Sequence, residues 1–226
     1  MSWASDTSST APTARTKRPA LSAAAFLPEE RSLASLREAA ASCRGCDLYR
    51  DATQTVFGEG ASYARLMLVG EQPGEAEDRA GHPFVGPAGA LLDKALREAG
   101  VDRKSIYVTN AVKHFKYIVR GTRRIHATPR VIEIRACTPW LESEIQAIRP
   151  ALVLALGATA AHALLGAAFR LREQRSQVFE SAFGCKVMAT AHPSAILRER
   201  DHQARQAAYA ALVTDLHHAA GAAHVS

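Results

Sequence analysis

The chain has 226 residues, 47% of them apolar and 22% charged, which suits a sizeable core and excludes a collagen-like, wholly disordered or disulfide-dense secreted protein. No run approaches the ~18 apolar residues needed to cross a bilayer, and the opening MSWASDTSSTAPTARTKRPA has no apolar signal core, so a cytoplasmic protein that avoids membranes is expected. The 28 Lys+Arg against 22 Asp+Glu give +6; residues 113–135 alone hold seven Lys/Arg against Glu133, also +6, so the rest averages to neutral.

Residues 1–25, rich in Ser, Thr, Ala and Pro, read as a disordered tail, and residues 26–226 as a single domain. After Pro28, Leu33 and Leu36 share one side of a helical pattern running to Cys43. ARLMLVG (64–70) reads as a buried strand, AGALLDKALREAG (88–100) as a helix, and IYVTNAV (106–112) as a second strand. The basic segment 113–135 has aromatic neighbours and no regular apolar period. It reads as a loop toward a phosphate-rich partner or as a solvated turn. A helix over about 130–148 stops before Pro150, LVLALG (152–157) forms a third strand, and a short helix follows to about Leu165. CKVMATAHP (185–193) holds a fourth strand before a closing helix over about 199–220. Buried strands separated by helices imply an α/β fold, a three-layer α/β/α sandwich around a four-stranded parallel sheet.

In such sheets ligands bind beyond the carboxyl ends of the strands. Those ends carry Gly70-Glu71-Gln72-Pro73-Gly74, Asn110 and His192-Pro193-Ser194, so three polar constellations converge. GEQPG lacks the Walker lysine, which argues against nucleotide hydrolysis; its glycines allow a tight turn and close backbone approach to a ligand. GHPFVGPAG (81–89) sets Phe84 in a loop before a helix, where the ring fits either the core or a stacking role on a base.

GEQPG, HPFVGPAG, TNAVK (109–113), CTPWL (137–141) and AHPS (191–194) occur in the order and spacing of family-4 uracil-DNA glycosylases, which the chain resembles over roughly residues 40–215. Within that superfamily it is similar to the UdgX branch, which has GEQPG at the first motif and a basic loop ending in Arg-Arg-Ile-His. Here those residues are Arg123, Arg124, Ile125 and His126, with Thr122 where the branch usually has Lys. The resemblance implies a monomer that excises uracil from DNA, single-stranded as well as duplex. Phe84 would stack on the flipped base, Asn110 would pair with its edge, and Gly70 and Gln72 would complete the base site, with Gln72 contacting the base or positioning the loop. His192 would donate a hydrogen bond to the departing uracil anion. His126 would capture the sugar carbon C1′, leaving the protein covalently attached, with Arg124 lowering its pKa and Glu71 orienting the ring or stabilising the cation. The alternatives are a His126 that only contacts phosphate, a conventional multiple-turnover glycosylase, and a non-catalytic iron–sulfur DNA-binding protein.

Cys43-x-x-Cys46 alone signals metal or redox chemistry. The resemblance implies a 4Fe–4S cluster on four cysteines, three of which match Cys43, Cys46 and Cys137; His114 occupies the fourth position, and Cys185 is then a buried free thiol. Structural zinc on the same set is the alternative.

Overall fold

The computed structural model describes residues 22–225. A 3-10 turn at Ala23–Phe26 precedes α1 (Leu33–Ala40), and a second, Asp47–Arg50, precedes β1 (Glu59–Gly60) and β2 (Leu66–Gly70). Then come α2 (Glu75–Ala80), α3 (Pro87–Glu98), β3 (Tyr107–Asn110), β4 (Tyr117–Arg120), β5 (Arg123–His126) and α4 (Val131–Ile148). The second half runs through β6 (Leu152–Leu156), α5 (Ala158–Leu165), α6 (Leu171–Gln174), β7 (Val178–Glu180), β8 (Lys186–Thr190), α7 (Pro193–Arg198) and α8 (His202–Ala223).

The expected sandwich is present, with a larger sheet than the apolar runs announce. The order is β1-β3-β2-β6-β8-β7: the inner four strands are parallel, and β1 and β7 add antiparallel edges, so the sheet is six-stranded and mixed. Those edges are not legible in the sequence because β1 spans two residues and β7 three, with Val178 and Glu180 exposed, so neither forms an apolar run. Along the inner strands side chains alternate between two cores, as the pleat requires. Leu66, Leu68, Val108, Leu154 and Met188 meet α3 and α8 through Leu92, Leu96, Leu212 and Leu216. Met67, Val69, Tyr107, Val153 and Val187 meet α4 and α5 through Leu141, Ile145, Ala160 and Leu164.

A third, smaller core lies to one side. It joins Ala23, Leu36, Ala40, Phe57, Val112, Ala136 and Trp140 with Cys43, Cys46 and Cys137. It also corrects the boundary of the expected tail. Residues 1–21 lie outside the described residues, but Ala23 is 1% exposed, packed so closely that a Cβ on Gly45 would stand 2.7 Å from its backbone.

The basic segment is likewise more ordered than a loop. β4 and β5 form a hairpin in register from Tyr117↔His126 to Arg120↔Arg123, closed by the two residues Gly121 and Thr122. Gly121 takes φ 60°, the left-handed conformation a two-residue hairpin turn demands.

Candidate functional site

The carboxyl ends of the parallel strands finish level with one another: Gly70 pairs with Asn110, and Leu156 with Thr190. From β2 the chain goes first to β3 on one side, then later to β6 on the other, so the crevice between β2 and β6 is the topological switch point. A cavity of about 990 Å³ opens there, and Glu71, Gln72, Phe84, Asn110, His126 and His192 all line it. Residues from well-separated stretches of sequence therefore meet at one site.

Asn110 is 2% exposed and held at the end of β3, where Ala111 N–H and Val112 N–H donate to the carbonyls of Gly70 and Glu71 at 2.9 and 3.0 Å. Gly70 lies beneath the site and does not line it. Its role is to be small: a Cβ there would stand 2.4 Å from Asn110 Oδ1 and 2.6 Å from Phe84 Cζ. Phe84 adopts φ 57°, a strained conformation for an aromatic residue and of the kind that gathers at functional sites. Its ring centroid lies 6.1 Å from that of His192, tilted by 30°.

Gln72 is committed to the hairpin. Its Nε2 donates to the carbonyls of Lys116 and Ala127 at 3.0 and 3.1 Å, and its Oε1 accepts from Lys116 N–H at 3.2 Å. Both ends of the hairpin are thus tied to the loop after β2, while Gln72 also lines the cavity. His126, the last residue of β5, is brought to the cavity with its side chain 47% exposed and Nε2 3.5 Å from Glu71 Oε1. Glu71 in turn accepts a hydrogen bond from Thr159 Oγ1.

Arg124 does not reach the cavity. Its guanidinium turns to Asp78 Oδ2 at 2.7 Å and Glu75 Oε1 at 3.4 Å, and lies over the rings of Phe115 and Tyr117. Burial holds the His126 pKa below the usual imidazole value; Glu71 opposes the shift, and the cation that reinforces it is Arg198, not Arg124. Arg124 anchors the hairpin instead, because the carboxylates of α2 neutralise it before its charge can act on the ring.

His192 accepts a hydrogen bond from Ser194 N–H on Nδ1 at 3.1 Å. A backbone amide can only donate, so Nδ1 carries the lone pair and the proton of the neutral ring sits on Nε2. Burial, then Arg198 and His126, push the His192 pKa down to about 4. Gly157 leaves room for it, since a Cβ there would approach the His192 Cβ to 3.0 Å.

Two buried acids hold these loops, and neither is among the residues singled out from the sequence. Glu77 accepts Gly74 N–H at 3.0 Å and Gly86 N–H at 2.7 Å, stapling GEQPG to the loop that carries Phe84. Asp78, with no exposed surface, accepts from Thr53 N–H and Oγ1 as well as from Arg124. Glu77 left a legible trace: an acid three residues after a helix-capping glycine is a capping pattern. The partners of Asp78 lie 25 and 46 residues away, beyond any local pattern.

The expected metal ligands lie outside the cavity, and Cys43, Cys46 and Cys137 are in the third core. Cys43, Cys46 and Cys137 are 4–6% exposed and share that core, and two donors already point at sulfur: Trp140 Nε1–H to Cys43 Sγ at 3.2 Å and Lys113 N–H to Cys137 Sγ at 3.3 Å. Such donors suit metal-bound thiolates. Without a metal, burial pushes the Cys137 thiol up to about 12. His114 follows Lys113 in the chain, buried and with Nε2 2.9 Å from Thr55 Oγ1. Among the described residues no three His, Cys, Asp or Glu side chains stand close enough together to hold a single metal ion. Cys185 is buried in the second core, away from the other three, as expected of a free thiol.

Among the described residues no helix is long and apolar enough to cross a membrane. A profile of the uracil DNA glycosylase superfamily matches residues 57–217. The type-4 uracil-DNA glycosylase of Thermotoga maritima is 39% identical over 165 residues, covering 73% of this chain and 82% of its own. That of Pyrobaculum aerophilum is 36% identical over 174 residues (74% and 85%), and that of Archaeoglobus fulgidus 35% over 163 (69% and 78%).

Proposed function

Because this chain belongs to the uracil DNA glycosylase superfamily, we propose that it excises uracil from DNA and that His126 then captures C1′ of the sugar, as in the UdgX branch it resembles. The observation that carries the reading is the placement of the His126 ring at the mouth of the cavity, its Nε2 3.5 Å from Glu71 Oε1, sharing that cavity with Asn110, Phe84 and His192.

The flipped uracil stacks on Phe84 and pairs with the Asn110 amide, which offers both a donor and an acceptor. As the bond between C1′ and uracil N1 breaks, both electrons leave with the base. The Nε2–H of His192 donates to the uracil oxygen on which that charge grows, and a ring kept neutral by burial donates without adding a cation to the cavity. The sugar is left as an oxocarbenium ion, whose charge the Glu71 carboxylate offsets. An imidazole nitrogen of His126 gives its lone pair to C1′, a C–N bond forms, and the positive charge passes to the ring beside Glu71. The substrate is uracil-containing DNA, single-stranded as well as duplex, and the domain, with Ala23 packed into its third core, acts as a monomer.

Cys43, Cys46 and Cys137, with His114 as fourth ligand, would hold a 4Fe–4S cluster; for the zinc alternative, no three of the described ligands stand close enough together to share a single ion. Bound there, the cluster would cross-link the segment after α1 to α4, a structural contribution. A second reading, turnover with water in place of His126, is favoured by the likeness to proteins named type-4 glycosylases.

A uracil oligonucleotide run on a denaturing gel separates the readings. The expected result is an SDS-resistant band with the parent chain and free uracil without that band for His126→Ala. Turnover without a band supports the conventional enzyme, and neither product supports a DNA-binding protein without activity. A band that persists in His126→Ala contradicts the assignment.

A further inference from the structure

Lys113 and Glu144 form an ion pair with no exposed surface on either side chain. The arrangement has a price: two charges are taken out of water, and apolar residues of equal volume commonly serve stability as well or better. Its geometry indicates what it does. The Lys113 ammonium has three protons and three neighbours to receive them: Glu144 Oε2, Thr109 Oγ1 at 2.6 Å, and the carbonyl of Asn110 at 2.8 Å. Glu144 is fixed independently by Tyr107 Oη–H at 3.0 Å, Gly58 N–H at 3.1 Å and the Thr109 hydroxyl. A cation held by a rigid acid therefore grips the main chain of the residue that faces the cavity. The same lysine gives its backbone N–H to Cys137 Sγ, so one residue touches both the cysteine core and Asn110.

We propose that Lys113, clamped by Glu144, is a positioning residue that sets the orientation of Asn110 toward the base. It acts through the Asn110 carbonyl and touches no substrate. The inference rests on Asn110 being the residue that meets uracil, so the test carries an Asn110→Ala arm.

Lys113→Met/Glu144→Gln removes both charges at nearly constant volume and keeps acceptors for Tyr107 and Gly58. Iron content, thermal melting, the single-turnover rate of uracil release from an oligonucleotide with the protein in excess, the protein concentration that half-saturates that rate, and inhibition by free uracil are measured on the purified full chain. The expected result is unchanged iron and half-saturation, a single-turnover rate down about 100-fold, as small misplacements at a reacting centre produce, and weaker inhibition by free uracil. Adding Asn110→Ala to that variant should cost nothing further. A parent-level rate and uracil inhibition in the pair variant, with both lost in Asn110→Ala, overturns the positioning role. So does a loss that merely tracks lost iron or lost folded protein. If Asn110→Ala itself excises at the parent rate, the reading of Asn110 falls, and the inference with it. Should the pair variant fail to fold, Glu144→Gln alone decides: about a tenfold fall in the single-turnover rate at constant iron supports the clamp, and an unchanged rate refutes it.

Discussion

His126 and His192 reach neutrality by the same cause, burial, and both need it: one must offer a lone pair, the other a hydrogen bond without a competing charge. Acidification should therefore abolish excision and capture. Single-turnover rates should be level above about pH 6.5, the ordinary imidazole value, and fall as the pH drops toward the His192 value of about 4. Stability moves in the same direction. Between those values the unfolded chain binds a proton that the folded His192 refuses, so the contribution of this residue is complete above about pH 6.5 and is lost as pH falls. A rate or melting temperature that rises on acidification through this window contradicts the assignment. Gly70→Ala tests the packing beneath the site: a Cβ 2.4 Å from Asn110 Oδ1 must push the amide or Phe84 aside. Excision should fall about 100-fold, and a parent-like rate would show that the amide position does not matter. At this scale much was legible, because GEQPG, Asn110 and His192 sit at strand ends that apolar runs mark in the sequence. The error over Arg124 had a physical origin: adjacency to His126 is visible in the sequence, but the buried Asp78 that claims the guanidinium is not.

The hairpin is the element the sequence concealed. Ile118 and Ile125 pair across it and are 48% and 38% exposed, on the same face as Arg120 and Arg123. Its apolar residues therefore mark no burial, and period-2 alternation carried no signal of an inward face. The opposite face turns Tyr117, Arg124 and His126 toward the body of the protein, where Gln72 and Asp78 hold it. The outward arginines are free to meet phosphate. Arg120→Ala/Arg123→Ala should reduce the slope of log K against log salt for DNA binding by about 2, roughly one for each phosphate no longer neutralised by an arginine. An unchanged slope would place DNA elsewhere.

At the scale of the molecule, two cores sandwich the sheet and a third gathers the cysteines. The parallel centre was readable because strands buried on both faces appear as unbroken apolar runs; the short edges β1 and β7 were not. The third core is built by packing between residues as distant as Cys43 and Trp140, and only the CxxC spacing hints at it. Cys137→Ser should yield protein that has lost most of its iron and melts at lower temperature, because metal binding to such a site is coupled to folding; full iron and sulfide content in that variant would remove Cys137 from the ligand set. Capture by His126 is tested by mass spectrometry of the parent protein after incubation with a uracil oligonucleotide. One product is expected, protein plus oligonucleotide less uracil, with the modified peptide fragmenting at His126. Unmodified protein accompanied by many equivalents of free uracil, or a modification on another residue, would contradict it.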